Sequence, residues 1–290
     1  MNMLQSWPRM LLALPALAAL VCGMLSGLAR LGFALPAPVG HLAGVHGALM
    51  VGGFLGTLIG LERAVALGRR WAYLAPALSG LAALAMIANA PNTLAPLLMS
   101  VAALFMLFAC TSVWLRQRAV HHAVLGIAAL AWLLGDLVWA WQGSVSPAVL
   151  FWAAFLTLTI AGERLELSRF VPTSKNAKGI ICIIVTVMMD GAIYSLFNAT
   201  AGSRTFALAL LALALWLLRY DIARRTIRMH GLTRYMAICL LSGYAWTAVA
   251  ALLGLTGAFA TGHPLHDAAL HALLLGFVFS MVFAHAPVIL

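Results

Sequence analysis

Ten uninterrupted apolar runs, each long enough to cross a membrane, constrain the fold of this chain more than any other feature. A transmembrane helix needs roughly 20 consecutive apolar residues, and the 290 residues are 64% hydrophobic and only 8% charged. Because a soluble domain carries about 25% charged residues, we predict an all-α, polytopic transmembrane helical bundle, with residues 1–290 forming a single integral membrane domain. The predicted spans are residues 10–29, 41–62, 71–90, 94–115, 121–142, 147–168, 178–198, 203–220, 231–256 and 264–290.

The basic residues alternate between the two ends of these spans. Of the 17 Lys and Arg residues, all but Arg30 and Arg204 lie in the N-terminal segment, or in the connections that follow the even-numbered spans and the span ends beside those connections. Basic residues collect in cytoplasmic loops, so ten spans with both termini cytoplasmic are predicted. The run after Arg9 is longer than the apolar core of a signal peptide, and we expect it to remain as a span. The net charge of +10 is thus a topology signal, and no pattern indicates nucleic-acid binding.

The four cysteines, Cys22, Cys110, Cys182 and Cys239, all lie within apolar runs. They form no C-x-x-C pair, which is the spacing typical of redox and thiolate metal sites. Free cysteine behaves as a small hydrophobic residue. We therefore expect small core residues here, with neither a disulfide nor a thiolate metal site.

Three glutamates lie next to arginines at span ends that the topology places in the cytoplasm. Glu62 precedes Arg63, and Glu163 and Glu166 flank Arg164. Opposite charges at a membrane interface pair readily, so these groups are expected to form charge networks that fix the helix ends.

Histidines mark the beginnings of spans two and ten, which both start on the outer side in this topology. Five of the nine histidines lie there: His41, His46, His263, His266 and His271. Ionisable residues inside a membrane are costly and are functional candidates, and imidazole ligates haem iron, copper and zinc. His46 and His271 lie deepest and are the predicted cofactor ligands. The other three are candidate ligands of a second metal, the alternative being polar residues of the interface.

His285 repeats the histidine of span ten near its other end. It follows His271 by 14 residues. On an α-helix this spacing places His285 within about 40° of the face that carries His271, roughly 21 Å further along the axis. This spacing resembles that of di-haem cytochromes b, in which one helix carries a ligand to a haem in each leaflet. No second helix has the matching pair, so His285 is a candidate metal ligand or a core histidine.

Three acids are predicted in the same outer half of the membrane as the histidine cluster. Asp136 lies late in span five, Asp190 beyond the middle of span seven, and Asp267 beside His266. A carboxyl group at membrane depth can pass protons between neighbouring groups. These residues are the candidate proton relay.

Glycines recur along span two. Gly52, Gly56 and Gly60 form one stripe at four-residue spacing. Small residues allow either a haem macrocycle or a neighbouring helix to approach closely. Both interpretations remain open at the level of sequence.

Two segments carry a family resemblance. His46-Gly47-Ala48-Leu49-Met50 resembles the second helix of haem–copper oxidases, whose histidine ligates haem. The segment 270–281, with His271, Gly276 and Met281, resembles the C-terminal half of NnrS-type proteins. Those bacterial membrane proteins hold haem and copper and belong to nitric oxide metabolism. The resemblance implies the same cofactors here, although Gly53-Phe54 lacks the preceding acid of the family and the chain has about ten spans instead of twelve.

The first functional interpretation is a multi-pass protein of the bacterial inner membrane that binds haem b, with or without copper, near its outer face. It would act on or respond to nitric oxide or another small diatomic ligand. As an enzyme it would be a haem-dependent oxidoreductase supplied by an electron donor. The alternative is a transporter that carries a metal ion or small solute past intramembrane His and Asp. A third interpretation is a scaffold without a cofactor. The one partner that the sequence itself requires is the lipid bilayer.

Overall fold

The computed structural model describes residues 7–34, 40–167 and 175–289. Of these described residues 86% are helical, and none lies in a strand. Ten helices within them are long and apolar enough to cross a membrane, as predicted. The helices are α1 (Trp7–Arg30), α2 (His41–Leu67), α3 (Arg70–Ile87), α4 (Leu94–Arg116), α5 (Val120–Gln142), α6 (Ser146–Leu167), α7 (Lys175–Tyr194), α8 (Ala199–Tyr220), α9 (Gly231–Leu255) and α10 (His266–Ile289).

The helix ends follow the predicted spans to within a few residues, and two deviations have local causes. The third helix stops before residue 90 because Asn89 adopts a φ of +54°, a left-handed conformation that Asn tolerates, and Pro91 follows. The boundary between α7 and α8 is set by Asn198, whose side chain accepts a hydrogen bond from the Ala201 N–H and so caps α8. Residues 168 and 290, which the predicted spans included, lie outside the described ranges.

Helices α2 and α10 share an irregularity that the sequence did not indicate. In α2 a short helical start at His46–Ala48 passes into a π-helix over Leu49–Gly56. In α10 the first helical segment, His266–His271, passes into a π-helix over Ala272–Val278. A π-helix inserts an extra residue per turn and occurs frequently at functional sites. Both π-helices begin within three residues after a histidine that was predicted to be a cofactor ligand.

The chain divides into two compact units. The first comprises Met1–Arg118 and Ala129–Trp152, and the second comprises Ala119–Ala128 and Ala153–Leu290. In the first unit α1 and α3 pack on the π-helix of α2. A Cβ on Gly53 would lie only 3.0 Å from the Ala19 Cβ and 2.9 Å from the Ala83 Cβ. The three helices approach this closely because small residues meet at their contact.

In the second unit the helices α7 to α10 pack in sequence order. At the α9–α10 contact, a Cβ on Gly276 would lie 2.5 Å from the Trp246 Cγ, so the indole ring covers this glycine. The side chain of Met281 fills the space beside Gly243 in the same way. Small residues again set how closely the helices approach.

Apolar side chains also cover the outside of the molecule. Along α1, residues such as Leu14 (58% exposed) and Leu17 (56% exposed) recur at helical spacing on one face. In a soluble protein such a stripe would be an aggregation hazard. On a membrane helix it is the surface expected to face lipid acyl chains.

Candidate functional site: ligand histidines and a buried carboxyl

The imidazole of His46 is held against helix α1. Its Nδ1 lies 2.7 Å from the Gly23 carbonyl oxygen and 3.4 Å from the Ser26 Oγ. Gly27 leaves the notch in which the ring sits, since a Cβ there would lie 2.9 Å from the His46 Cε1. A carbonyl oxygen only accepts hydrogen bonds, so Nδ1 carries a proton, and in the neutral tautomer with this proton the lone pair is on Nε2.

The imidazole of His271 has the same hydrogen-bond geometry in the second unit. Its Nδ1 donates to the Asp267 carbonyl oxygen, 2.7 Å away and one turn earlier in α10. In the neutral tautomer that carries this proton, the lone pair is again on Nε2. His271 is exposed, and the side chain of Leu275, one turn later, is 52% exposed and apolar. His46 and His271 thus have the same ring nitrogen bonded to a carbonyl, and each is followed by a π-helix of its own.

The remaining candidate histidines differ in which ring nitrogen contacts the backbone. His266 Nδ1 donates to the Ala258 carbonyl oxygen at 3.2 Å, which leaves the lone pair on Nε2. His41 uses Nε2 toward the Met86 carbonyl oxygen at 3.4 Å, so its lone pair is on Nδ1. His263 Nδ1 accepts from the Leu265 N–H at 3.1 Å.

Metal ions bound entirely by protein usually require three or more ligands. Within residues 7–34, 40–167 and 175–289, no group of three or more His, Cys, Asp or Glu side chains is placed to hold a metal ion. His285, the candidate at the other end of α10, is exposed. A haem iron, by contrast, requires only one imidazole on one of its faces.

The glycine stripe of α2 is filled by protein side chains. Gly52 packs against Met99, and a Cβ on Gly56 would lie 2.7 Å from the Trp132 Cζ2. A Cβ on Gly60 would lie 3.3 Å from the Pro76 Cδ. Of the two interpretations of the stripe, the structure supports close helix packing, because neighbouring side chains occupy the space that a macrocycle would need.

Asp136 is the most enclosed acid of the described chain, with 0% of its surface exposed. Its Oδ1 accepts a hydrogen bond of 2.9 Å from the Trp152 Nε1, and its Oδ2 has no hydrogen-bond partner in the described part of the chain. Gly135 makes this contact possible, because a Cβ there would lie 2.8 Å from the Trp152 Cδ1. The Trp152 ring packs edge-on against Trp139, with centroids 5.8 Å apart. The result is a fully buried carboxyl group bonded to one indole, against which a second indole packs.

The other two acids predicted for a proton relay lie elsewhere in exposed positions. Asp190 is exposed on α7, four residues before that helix ends, and Asp267 is exposed at the start of α10. Neither joins a described cluster of three or more acidic, thiol or imidazole groups. Of the three acids, only Asp136 has the burial that membrane chemistry usually exploits.

One buried ion pair was not predicted from the sequence. Arg164 donates to Asp221 through Nε (2.7 Å to Oδ2) and Nη2 (2.9 Å to Oδ1), and only 12% and 1% of the two side chains are exposed. The Ala223 N–H also donates to Asp221 Oδ1 at 2.7 Å. The sequence signal was present but weak: Asp221 is the only acid in the arginine-rich connection between α8 and α9.

The four cysteines are free thiols. Cys110 is buried, as expected of a core residue, whereas Cys182 is exposed on α7. The expectation that all four are core residues is therefore wrong for Cys182. In a membrane span an apolar exposed residue can face lipid, so an apolar run does not distinguish core from surface.

These features define a multi-pass α-helical membrane protein with two π-helices, each beginning shortly after a histidine, and one fully buried carboxyl group. Among families, the chain belongs to the one described as "Domain of unknown function (DUF8744)", which it matches over residues 9–290. No curated protein and no solved structure matches the chain.

Proposed function

We propose that this protein binds haem b in the bacterial inner membrane and acts on or responds to nitric oxide or another small diatomic ligand. Its axial ligands would be His46, His271 or both, each through Nε2, and both chain termini would lie in the cytoplasm. The observation that carries the proposal is the 2.7 Å bond from Nδ1 to a backbone carbonyl at each histidine.

That bond is typical of histidines that ligate metals. A ligating imidazole almost always donates its other N–H to a carbonyl or carboxylate, which fixes the tautomer, orients the ring and raises the basicity of the ligating nitrogen. At His46 the oxygen comes from Gly23 of a neighbouring helix, and at His271 it comes from the preceding turn. The donor atoms thus fit a haem iron.

The haem would supply an iron centre with an open position for a diatomic ligand. The chain would contribute the imidazole, its orientation and an apolar surface. Ser26, whose hydroxyl donates to the same Gly23 oxygen at 2.8 Å, holds that oxygen in place. The exposed Leu275 provides apolar contact beside His271.

Copper would require additional ligands from His41, His263, His266 or His285. Since no described group of three such side chains is assembled, we propose haem as the resident cofactor and treat copper as an outcome of elemental analysis. An electron donor is needed only if the diatomic ligand is reduced.

The test is an absorption spectrum of detergent-purified protein from haem-replete cells. We expect a Soret band that shifts on addition of nitric oxide and is lost in His46→Ala, His271→Ala or both. His230→Ala is the matched control, because His230 is exposed in the connection before α9. Haem content per chain distinguishes one site from two. A colourless preparation without bound metal contradicts the proposal.

A transporter of protons, metal ions or small solutes is the second candidate, and Asp136 favours it. A fully buried carboxyl group with one oxygen lacking a described partner can take up and release a proton or cation. Transport predicts ion flux into proteoliposomes that Asp136→Asn abolishes and that Asp190→Asn, at an exposed position, preserves. Flux from a colourless protein would favour transport over haem binding.

A further inference from the structure

Five exposed arginines surround the connection between α8 and α9. They are Arg219, Arg224, Arg225, Arg228 and Arg234, and we refer to residues 219–235 as the basic turn. Each other connection rich in basic residues has four at most. Clusters of about four to eight Lys or Arg beside a transmembrane helix are typical of sites for anionic lipid headgroups.

No carboxylate within the basic turn is left to neutralise these charges. Asp221 is its only acid, and both of its oxygens are engaged by Arg164 from α6 beneath the turn. Within the described residues, Arg224, Arg225 and Arg228 make no ion pair with an acid. Their guanidinium groups are therefore available to an external anion.

Asp221 also orders the backbone that carries the arginines. It accepts from the Ala223 N–H, and a single-turn helix follows at Ala223–Thr226. Further turn bonds, from Arg228 N to Arg225 O (3.2 Å) and from Met229 N to Thr226 O (3.0 Å), continue this structure. An ordered backbone lowers the entropy lost when the arginines bind a ligand.

Apolar side chains alternate with the arginines on the same exposed segment. Met229, Leu232 and Tyr235 are 56%, 50% and 46% exposed. They lie where α8 ends and α9 begins. Apolar and aromatic groups interleaved with arginine are typical of a surface lying in the lipid headgroup region. A site for a soluble anion has no need of them.

We propose that the basic turn binds the phosphate headgroups of anionic phospholipids. Arg guanidinium groups donate paired hydrogen bonds to phosphate oxygens, while Met229, Leu232 and Tyr235 contact the upper acyl chains. This binding is independent of any haem. It gives the densest basic segment a function beyond setting topology.

The experiment measures association of spin-labelled phosphatidylglycerol with the full chain in phosphatidylcholine nanodiscs, with spin-labelled phosphatidylcholine as reference. We expect a preference for phosphatidylglycerol that weakens with salt. The variant R224Q/R225Q/R228Q should reduce it by more than fivefold and by up to about 125-fold, since each of the three arginines near the surface contributes up to about fivefold. Retained helical circular dichroism verifies that the variant is folded.

The matched control is R69Q/R70Q/R116Q, which removes three exposed arginines outside the basic turn. It should keep most of the preference. Absence of any preference in the wild type, or an equal loss in the control, overturns the proposal. Displacement of the lipid by inorganic phosphate, but not by chloride at equal ionic strength, would identify a site for free phosphate and would also overturn it.

Discussion

The buried ion pair between Arg164 and Asp221 allows a stability prediction whose size follows from the structure. Asp221→Ala removes two charge-assisted hydrogen bonds and leaves a guanidinium that is only 12% exposed without its carboxylate. Because Arg cannot lose its proton, the charge stays buried. Breaking a buried pair from one side costs about 3–5 kcal/mol. The Ala223 N–H loses its acceptor as well.

Thermal unfolding in detergent micelles measures this effect. In a chain of this size class Tm falls by about 2–4 °C for each kcal/mol lost from the free energy of unfolding. We therefore expect Tm to fall by about 6–20 °C in Asp221→Ala. The fall should be smaller in Asp221→Asn, which retains an oxygen for the Ala223 N–H.

A double variant separates charge burial from general damage. In R164M/D221L both charges are gone and similar volume is retained, and such replacements are often neutral or stabilising. We therefore expect its Tm to exceed that of Asp221→Ala. If Asp221→Ala costs less than about 1 kcal/mol, as an exposed ion pair would, or if the double variant is no better, the reasoning from burial is refuted.

Two further predictions concern the first unit and use the same thermal assay. Gly56→Ala places a methyl group 2.7 Å from the fully buried Trp132, so overpacking should lower the free energy of unfolding by about 1–3 kcal/mol. Gly44→Ala is the control, because no atom lies within 4 Å of its Cβ position, and it should be nearly neutral. Trp152→Phe removes the hydrogen-bond donor to Asp136 and should lower the free energy of unfolding by about 1–3 kcal/mol. The same substitution should cost less in a chain that already carries Asp136→Leu. Equal costs with Asp136 and with Leu at this position would argue against the bond.

The number and placement of the helices could be predicted from the sequence because they depend on a one-dimensional property. In lipid every backbone polar group must be satisfied within its own helix, so the length of an apolar run defines the span. The start of α2 at His41 and the start of α9 at Gly231 were predicted to the residue. Where Asn198 caps α8, a local hydrogen bond moved the boundary.

The candidate site could be predicted only as residue types. The sequence placed His46 and His271 near the beginnings of their spans, but which ring nitrogen carries the proton depends on the Gly23 and Asp267 carbonyls. The π-helices that follow are not encoded in hydrophobic periodicity, which is uniform through both apolar runs. Asp136 was recognised as intramembrane, while its enclosure depended on Trp152 reaching it past Gly135.

The sequence by itself thus determined that this protein has ten helices long and apolar enough to cross a membrane, because apolar length is a property read along the chain. The tertiary structure alone decided which polar groups meet. Arg164 and Asp221 are 57 residues apart, and His46 and Gly23 are 23 apart. Their contacts depend on the rotation and axial position of each helix relative to its neighbours. Many close side-chain contacts fix those quantities jointly, and no single segment specifies them.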